Sequence, residues 1–265
     1  MFRQRLLTIL VLMPLVLLAL YFSNVWFFGS IILLLVLASG FEWLQLIPLQ
    51  LWAFKISFLL LLLGFTLLEF LYLDVFLFIN LVLWIAIFFA ILSYPESQKW
   101  WGRPWVVMLA AFIVLPVFAS SFLELFKYPQ GKALVVYLLA LIWAADIGAY
   151  LIGKFFGHKK LIPLVSPGKT VEGVVGGFIA GVTVGLVGYI YFKPLNGANW
   201  FIIAATTIVV SIIGDLFISM LKRRQHLKDT GHIFPGHGGI LDRIDSLIAA
   251  LPFFYFGLHH FPAGI

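Results

Sequence analysis

The chain contains no cysteine in its 265 residues, which removes disulfide staples and thiolate metal sites at once. It is poor in charge as well. Asp, Glu, Lys and Arg make up only 11% of it, where an ordinary soluble domain carries about 25%. Hydrophobic residues make up 63%, more apolar surface than a soluble fold of this length can hide. Lipid must be the solvent for most of it, and the expected fold class is all-α, a polytopic transmembrane helical bundle. A leader-type cleavage site is missing too. Arg3 and Arg5 precede an apolar run, but Tyr21, Phe22, Ser23 and Asn24 follow it in place of an A-x-A-like pattern. The first helix is therefore expected to be retained. No internal repeat stands out.

A spanning helix takes about 20 predominantly apolar residues. On that measure nine spans are predicted, at 6–22, 25–40, 51–71, 74–93, 104–122, 132–152, 171–192, 199–221 and 239–258. The boundary inside 51–93 is soft, because only Glu69 and Asp74 interrupt it. The net charge of +6 reads as topology, not as a nucleic-acid footprint. With a cytoplasmic N-terminus, only Lys127, Lys132 and Lys193 of the 17 Lys and Arg residues fall outside, leaving 14 inside. That is a strong positive-inside bias.

The two halves differ in character. Residues 1–130 hold few charges within their spans and are expected to form a scaffold. Residues 131–265 contain the glycine-rich loops and paired charges, and are expected to form the catalytic region, with a polar cavity facing the cytoplasm.

Four constellations there could carry chemistry. Asp146 lies near the cytoplasmic end of the sixth predicted span, and an ionised carboxylate at the bilayer centre costs about 2.5–3.5 kcal/mol on insertion scales. Its bland reading, a partly solvated acid pairing with Lys154, stays open. Next comes the loop 153–173, with His158-Lys159-Lys160 and Ser166-Pro167-Gly168-Lys169-Thr170-Val171-Glu172-Gly173. Gly168-Lys169-Thr170 invites a P-loop reading, but that motif needs glycine five residues before Gly168. Pro163 stands there, and no strand is expected ahead of it. A Gly and Lys before a new helix still offer N–H groups and a cation to a phosphate; a merely topological basic loop explains them equally well.

Asp215 is the third, on an apolar span seven residues before Lys222, with Ser219 and Lys222 on the same helical stripe. It suggests the floor of a wet cavity, or a structural Asp–Lys pair. The fourth is the densest. Ser219, Lys222, Arg223, Lys228, Asp229, Gly231 and His237-Gly238-Gly239 lead into a last helix opening with Asp242, Arg243 and Asp245. Asp242 and Asp245 share a face of that helix, and its N-terminus favours an anion. Capping alone would suit the two acids, but does not explain why so many cations and glycines converge there. Carboxylates beside many cations point to Mg²⁺ and phosphate together, since Mg²⁺ takes oxygen ligands, usually one or two carboxylates with waters and phosphate oxygens. Without cysteine or paired histidines, zinc is not expected.

These residues resemble the CDP-diacylglycerol synthase (phosphatidate cytidylyltransferase) family. Its signature reads Ser-x-apolar-Lys-Arg, four residues, Lys-Asp, a small residue, then Pro-x-His-Gly-Gly-apolar-x-Asp-Arg-apolar-Asp. Every fixed position is met between Ser219 and Asp245. The segments Ala145 to Tyr150 and Ser166 to Gly173 also look like the family's, with Val171 where many members carry Trp and Ile147 where Ser or Thr is usual. The specific resemblance covers roughly residues 140–250; the N-terminal half is similar only in being multi-span.

The resemblance implies a magnesium-dependent enzyme of a bacterial-type inner membrane, homodimeric, with its N-terminus and active site cytoplasmic. The expected reaction is attack of a phosphatidic acid phosphate oxygen on the α-phosphorus of CTP, giving CDP-diacylglycerol and pyrophosphate in phospholipid biosynthesis. Expected metal ligands are Asp215 and Asp242, with Asp146 nearby; a second, monovalent cation is left open. Lys169, Lys222, Arg223, Lys228, Asp229, His237, Arg243 and Asp245 form the expected catalytic set. Ser166, Gly168, Thr170, Ser219, Gly238 and Gly239 are the expected substrate contacts. The expected partners are CTP, phosphatidic acid, the bilayer and a second copy of the chain, with no nucleic acid. Three other readings compete: a CTP-dependent polyprenol kinase, an ion-coupled transporter, and a CDP-alcohol phosphotransferase. The last lacks its Asp-Gly repeat here.

Overall fold

The computed structural model describes residues 14–48, 51–231, 233, 238–261 and 263–264. Residues 14–22 are helical. Next come α1 (Val25–Trp43), running on through a 3-10 turn at Leu44–Leu46, then α2 (Trp52–Leu71), α3 (Leu73–Leu92) and the short α4 (Gln98–Trp101). Helices α5 (Pro104–Lys127) and α6 (Gly131–Phe156) follow. A hairpin of β1 (Lys160–Ile162) and β2 (Ser166–Thr170) leads to α7 (Val171–Phe192), α8 (Gly197–Arg224) and α9 (Leu241–His260).

Local chemistry sets the ends. The side chain of Asn24 accepts from Phe27 N at 2.8 Å and starts α1. Thr170 Oγ1 accepts from Gly173 N at 3.1 Å and starts α7. Asn196 does the same for Asn199 N at 3.1 Å at the head of α8. The last turn of α8 carries Lys222, Arg223 and Arg224, cations that suit the negative end of the helix dipole. The soft boundary in 51–93 resolves at Tyr72, whose backbone leaves the helical region between α2 and α3.

Seven of these helices are long and apolar enough to cross a membrane, so the chain is an integral membrane protein built as a helical bundle. The nine-span expectation is not confirmed at either end. Much of the first span, 6–22, lies outside the described residues. The last helix, α9, has the length, but Asp242, Arg243 and Asp245 fill its first turns and His259 and His260 its last, which keeps it out of the seven. The strand pair was not expected at all. Its register joins Lys160 to Thr170 and Ile162 to Ser166, antiparallel. Gly168-Lys169-Thr170 therefore lies within a strand instead of following one, and the P-loop reading fails on geometry as well as on spacing.

Helix α5 runs through the middle of the bundle, with Val114, Leu115, Val117 and Phe118 fully buried, and packs against α1, α2, α3, α6 and α9. Two other contacts matter more for function, because each draws a pair of charge-bearing helices close. Helices α6 and α7 meet through small residues: a Cβ on Gly177 would lie 2.6 Å from Ala145 O, and one on Gly148 would lie 2.7 Å from Gly176 O. Helices α8 and α9 meet at Gly214, where a Cβ would lie 2.5 Å from Asp245 O. Without a hydrophobic drive between helices in lipid, such backbone approaches are how spans associate. The first sets Asp146 beside the hairpin's helix; the second sets Asp215 beside Asp245.

Candidate active site

The polar end of the bundle gathers the C-terminal ends of α1, α6 and α8, the hairpin, and the N-terminus of α9. Arg223 Nε donates to Val165 O in the hairpin turn at 3.2 Å, tying β1–β2 to α8. Arg224 Nη1 and Gln225 Nε2 donate to Leu46 O at 2.9 and 3.2 Å, tying α8 to the end of α1. The scaffold under the acids is thus cross-braced by side chains reaching to backbone carbonyls.

Two ion pairs cross this framework. Lys169 Nζ on β2 lies 2.7 Å from Asp215 Oδ2 on α8, and Ser219 Oγ donates to the other oxygen, Oδ1, at 3.3 Å. Lys222 Nζ lies 2.7 Å from Asp242 Oδ1. The second oxygen of Asp242 accepts three times: from Thr230 N at 2.7 Å, Thr230 Oγ1 at 3.0 Å and Gly239 N at 3.0 Å. Such a carboxylate, only 7% exposed, is held in the ionised form it needs to meet cations. Gly238 makes the turn possible: its φ of +79° is open to glycine, and a Cβ there would lie 2.7 Å from Asp242 Oδ2.

The remaining acids lie within electrostatic reach of these pairs. Asp146 on α6 interacts with Asp215, Lys169 and Arg243. Asp245 on α9 interacts with Asp215, Lys222 and Lys169, and its Oδ1 accepts from Ser246 N at 2.7 Å. The bland pairing of Asp146 with Lys154 is not what forms, since the Lys154 ammonium lies over the rings of Tyr150 and Phe155 at 5.7 and 5.6 Å. Three helices and one hairpin therefore bring Asp146, Asp215, Asp242, Asp245, Lys169, Lys222 and Arg243 to one place.

Other expected site residues sit around that core. Ser166 and Gly168 lie on β2, partly buried and exposed respectively, and Thr170 is the α7 cap. Asp229 lies against Gly238. Lys228 stands exposed on the segment after α8, and among the described residues no ion pair joins it to the acids. His237 lies outside the described residues. The polar cavity remains an expectation, and residues 234–236 of the charged motif also lie outside the described ones. The groove of about 500 Å³ lined by Phe178, Ile179, Val182, Leu186 and Phe201 is apolar and unrelated to the acids.

Sequence reasoning missed three residues. Glu172 accepts from the backbone N–H of His158 and Lys159 at 3.1 Å each, folding the start of the hairpin onto α7. Thr230 sits inside the charged motif and was passed over. Glu42, on α1, is 1% exposed, and its carboxylate accepts from Ile240 N at 2.9 Å, Leu241 N at 2.8 Å and Thr230 Oγ1 at 3.2 Å. One signal could have found it: it is the first acid of the chain, alone at the end of an apolar run.

Could this set hold Mg²⁺? Among the described residues no three His, Asp or Glu side chains gather as a ready-made metal cage. Mg²⁺ does not need one, since one or two carboxylates with waters and substrate phosphates suffice. The donors are all oxygen, and Asp215 has Asp146 and Asp245 as like-charged neighbours, repulsion that a divalent cation would relieve. The residues fit the group.

Comparison with known proteins gives the family of the chain. A phosphatidate cytidylyltransferase of Pseudomonas aeruginosa is 37% identical over 270 residues, covering 96% of this chain and 96% of that protein. That of Haemophilus influenzae is 41% identical over 190 residues, 66% of each chain. That of Staphylococcus aureus strain COL is 39% identical over 174 residues, 63% of this chain and 65% of the relative. The latter two alignments thus span about two thirds of the relatives' length. The model of the cytidylyltransferase family matches residues 3–261; the chain belongs to that family and is a nucleotidyltransferase.

Proposed function

We propose that the chain transfers CMP from CTP to phosphatidic acid, forming CDP-diacylglycerol and releasing pyrophosphate, at the cytoplasmic face of a bacterial-type inner membrane. The observation that carries it is the pairing of Lys169 with Asp215 and of Lys222 with Asp242 at one end of a lipid-embedded bundle. A soluble nucleotide and a membrane-held phosphate can meet only at such a boundary. The positive-inside count supports the orientation, and the relatives' name supports the substrates.

The chemistry follows from the charges. A phosphatidate oxygen, already anionic at neutral pH, attacks the α-phosphorus of CTP; the bond from that phosphorus to the bridging oxygen breaks, and pyrophosphate carries the electron pair away. No strong base is required, so positioning and charge neutralisation supply most of the rate. Lys169 and Lys222 are held by carboxylates until phosphates arrive. They then exchange those partners for phosphate oxygens, and Arg243 adds a third cation at the rim. Mg²⁺ would be held by Asp215 and Asp242, with Asp146 and Asp245 close by, and would neutralise charge on the phosphates. A second copy of the chain is part of the proposal, as a homodimer.

Membranes carrying the chain, given phosphatidic acid, Mg²⁺ and CTP labelled at the α-phosphorus, should place the label in the lipid extract. A kinase acting on a lipid alcohol would transfer only a γ-label. Label from γ-labelled CTP in lipid, with none from α-labelled CTP, would overturn the reading.

A further inference from the structure

We infer that Glu42 is a positioning residue of the active site. It is the group through which the N-terminal half of the chain sets where Asp242 stands. This inference rests on the reading of the acid–lysine cluster as the catalytic centre.

Glu42 is a buried carboxylate that, among the described residues, bonds to no group of its own helix. Its two oxygens instead accept from consecutive N–H groups, Ile240 and Leu241, at the entrance of α9. Those N–H groups have no partner inside α9, and an anion there also meets the positive end of the helix dipole. A buried charge persists only where such bonds compensate its lost hydration. The cavity around it is shaped for a carboxylate: a Cβ on Gly231 would lie 2.4 Å from Glu42 Oε1, and one on Gly239 would lie 2.2 Å from Oε2.

The link to the chemistry runs through Thr230. Its hydroxyl lies 3.2 Å from Glu42 Oε2 and 3.0 Å from Asp242 Oδ2. A hydroxyl has one proton to donate, so the two carboxylates share it. Glu42 and Asp242 thereby hold both ends of the segment from Thr230 to Leu241: Asp242 through Thr230 N and Gly239 N, Glu42 through Thr230 Oγ1, Ile240 N and Leu241 N. Asp242 is one residue past Leu241. Loosening the grip on Ile240 and Leu241 therefore moves the carboxylate that meets Lys222. The braces from Arg224 and Gln225 to Leu46 O fix the end of α1 to the same helix that carries Lys222 and Asp215, so Glu42 is positioned by α8 while it positions α9.

The test uses Glu42→Gln, Glu42→Asp and, as a control, Glu69→Gln, all in the full chain in proteoliposomes. Glu69 is as deeply buried as Glu42 but lies at the far end of α2, and among the described residues its carboxylate has no hydrogen bond to the site. Because the chain lacks cysteine, a Leu241→Cys substitution adds a single thiol at a fully buried position. Its alkylation rate reports the α9 entrance independently of turnover. Glu42→Gln puts an amide donor where Oε2 accepts. It should lower kcat at least tenfold with KM for CTP changed less than threefold, and speed alkylation of the introduced thiol at least fivefold. Glu42→Asp should restore part of both, and Glu69→Gln should move neither. Unchanged alkylation in Glu42→Gln would overturn the inference, as would equal losses in Glu42→Gln and Glu69→Gln, the mark of general destabilisation. Failure of the unmodified chain to label phosphatidate would retire the proposed reaction, while the thiol would still report on Glu42.

Discussion

Lys222 and Asp242 face each other at 2.7 Å across the gap between the end of α8 and the start of α9, and nothing in the local structure of either helix requires the contact. Lys222 is in the last turn of its helix and Asp242 in the first turn of the next. The pair is mostly buried, and such pairs are weak evidence for stability, since desolvation offsets much of the attraction. Its persistence makes sense as a site kept charged for exchange with substrate.

Asp242→Asn removes that charge while keeping size. Lys222 then loses its partner in a buried setting, and turnover should fall by at least about 10²-fold, the scale of losing a group aimed at developing charge. Membrane insertion should survive, because the spans are untouched. Membrane fractionation followed by the lipid-label assay measures both, and substantial remaining turnover would refute the role given to Asp242.

Lys169 and Asp215 should behave as a unit. Lys169→Met and Asp215→Asn are each expected to reduce CTP-dependent labelling about 10²-fold. The double variant should lose much less than the product of the two, because each single change leaves one charge stranded; coupling of about 0.5–3 kcal/mol is the usual range for such neighbours. A multiplicative loss would mean the two residues act separately.

Gly214 tests whether helix approach sets the site. A methyl at this position would meet Asp245 O at 2.5 Å, whereas Gly64 has open space around its would-be Cβ. Gly214→Ala should destabilise by about 1–3 kcal/mol and reduce turnover as Asp245 shifts from Asp215. Gly64→Ala should do neither. Thermal unfolding in detergent, followed by tryptophan fluorescence, gives the comparison.

Chelation gives the fourth expectation. Stripping divalent ions with EDTA should stop label transfer, and Mg²⁺ should restore it. Zn²⁺ should not, since no thiolate exists in the chain and Mg²⁺ prefers all-oxygen surroundings. Full turnover in EDTA would remove the metal from the mechanism.

The sequence made the helices legible because each span is a long apolar run, and most predicted ends fall within a few residues of Trp43, Leu71, Leu92, Phe192 or Arg224. The acid cluster was legible because its members sit in motifs with charge at fixed spacing. The hairpin was not. Ser166-Pro167-Gly168 is poor strand material, and β2 forms because β1 pairs with it and Arg223 holds the turn between them. The lone acid Glu42 stands out at the end of an apolar run, but its role was illegible for a different reason: its partner Leu241 is 199 residues away, and no local pattern records so distant a hydrogen bond. Dividing the chain into a scaffold half and a catalytic half also conceals it.

The span between those two residues has a consequence for biosynthesis. Helix α1 leaves the ribosome and enters the bilayer long before α9 is translated, and domains generally organise from the N-terminus during synthesis. Every basic residue around the acids but Arg243 is then already in place, while Glu42 sits without Ile240, Leu241 or Thr230 to bond it. A nascent chain halted after Arg224 would carry all seven of the long apolar helices and still have an unfinished reaction centre. Completion arrives only with the last helix, when the oldest acid of the polypeptide meets some of its youngest amides.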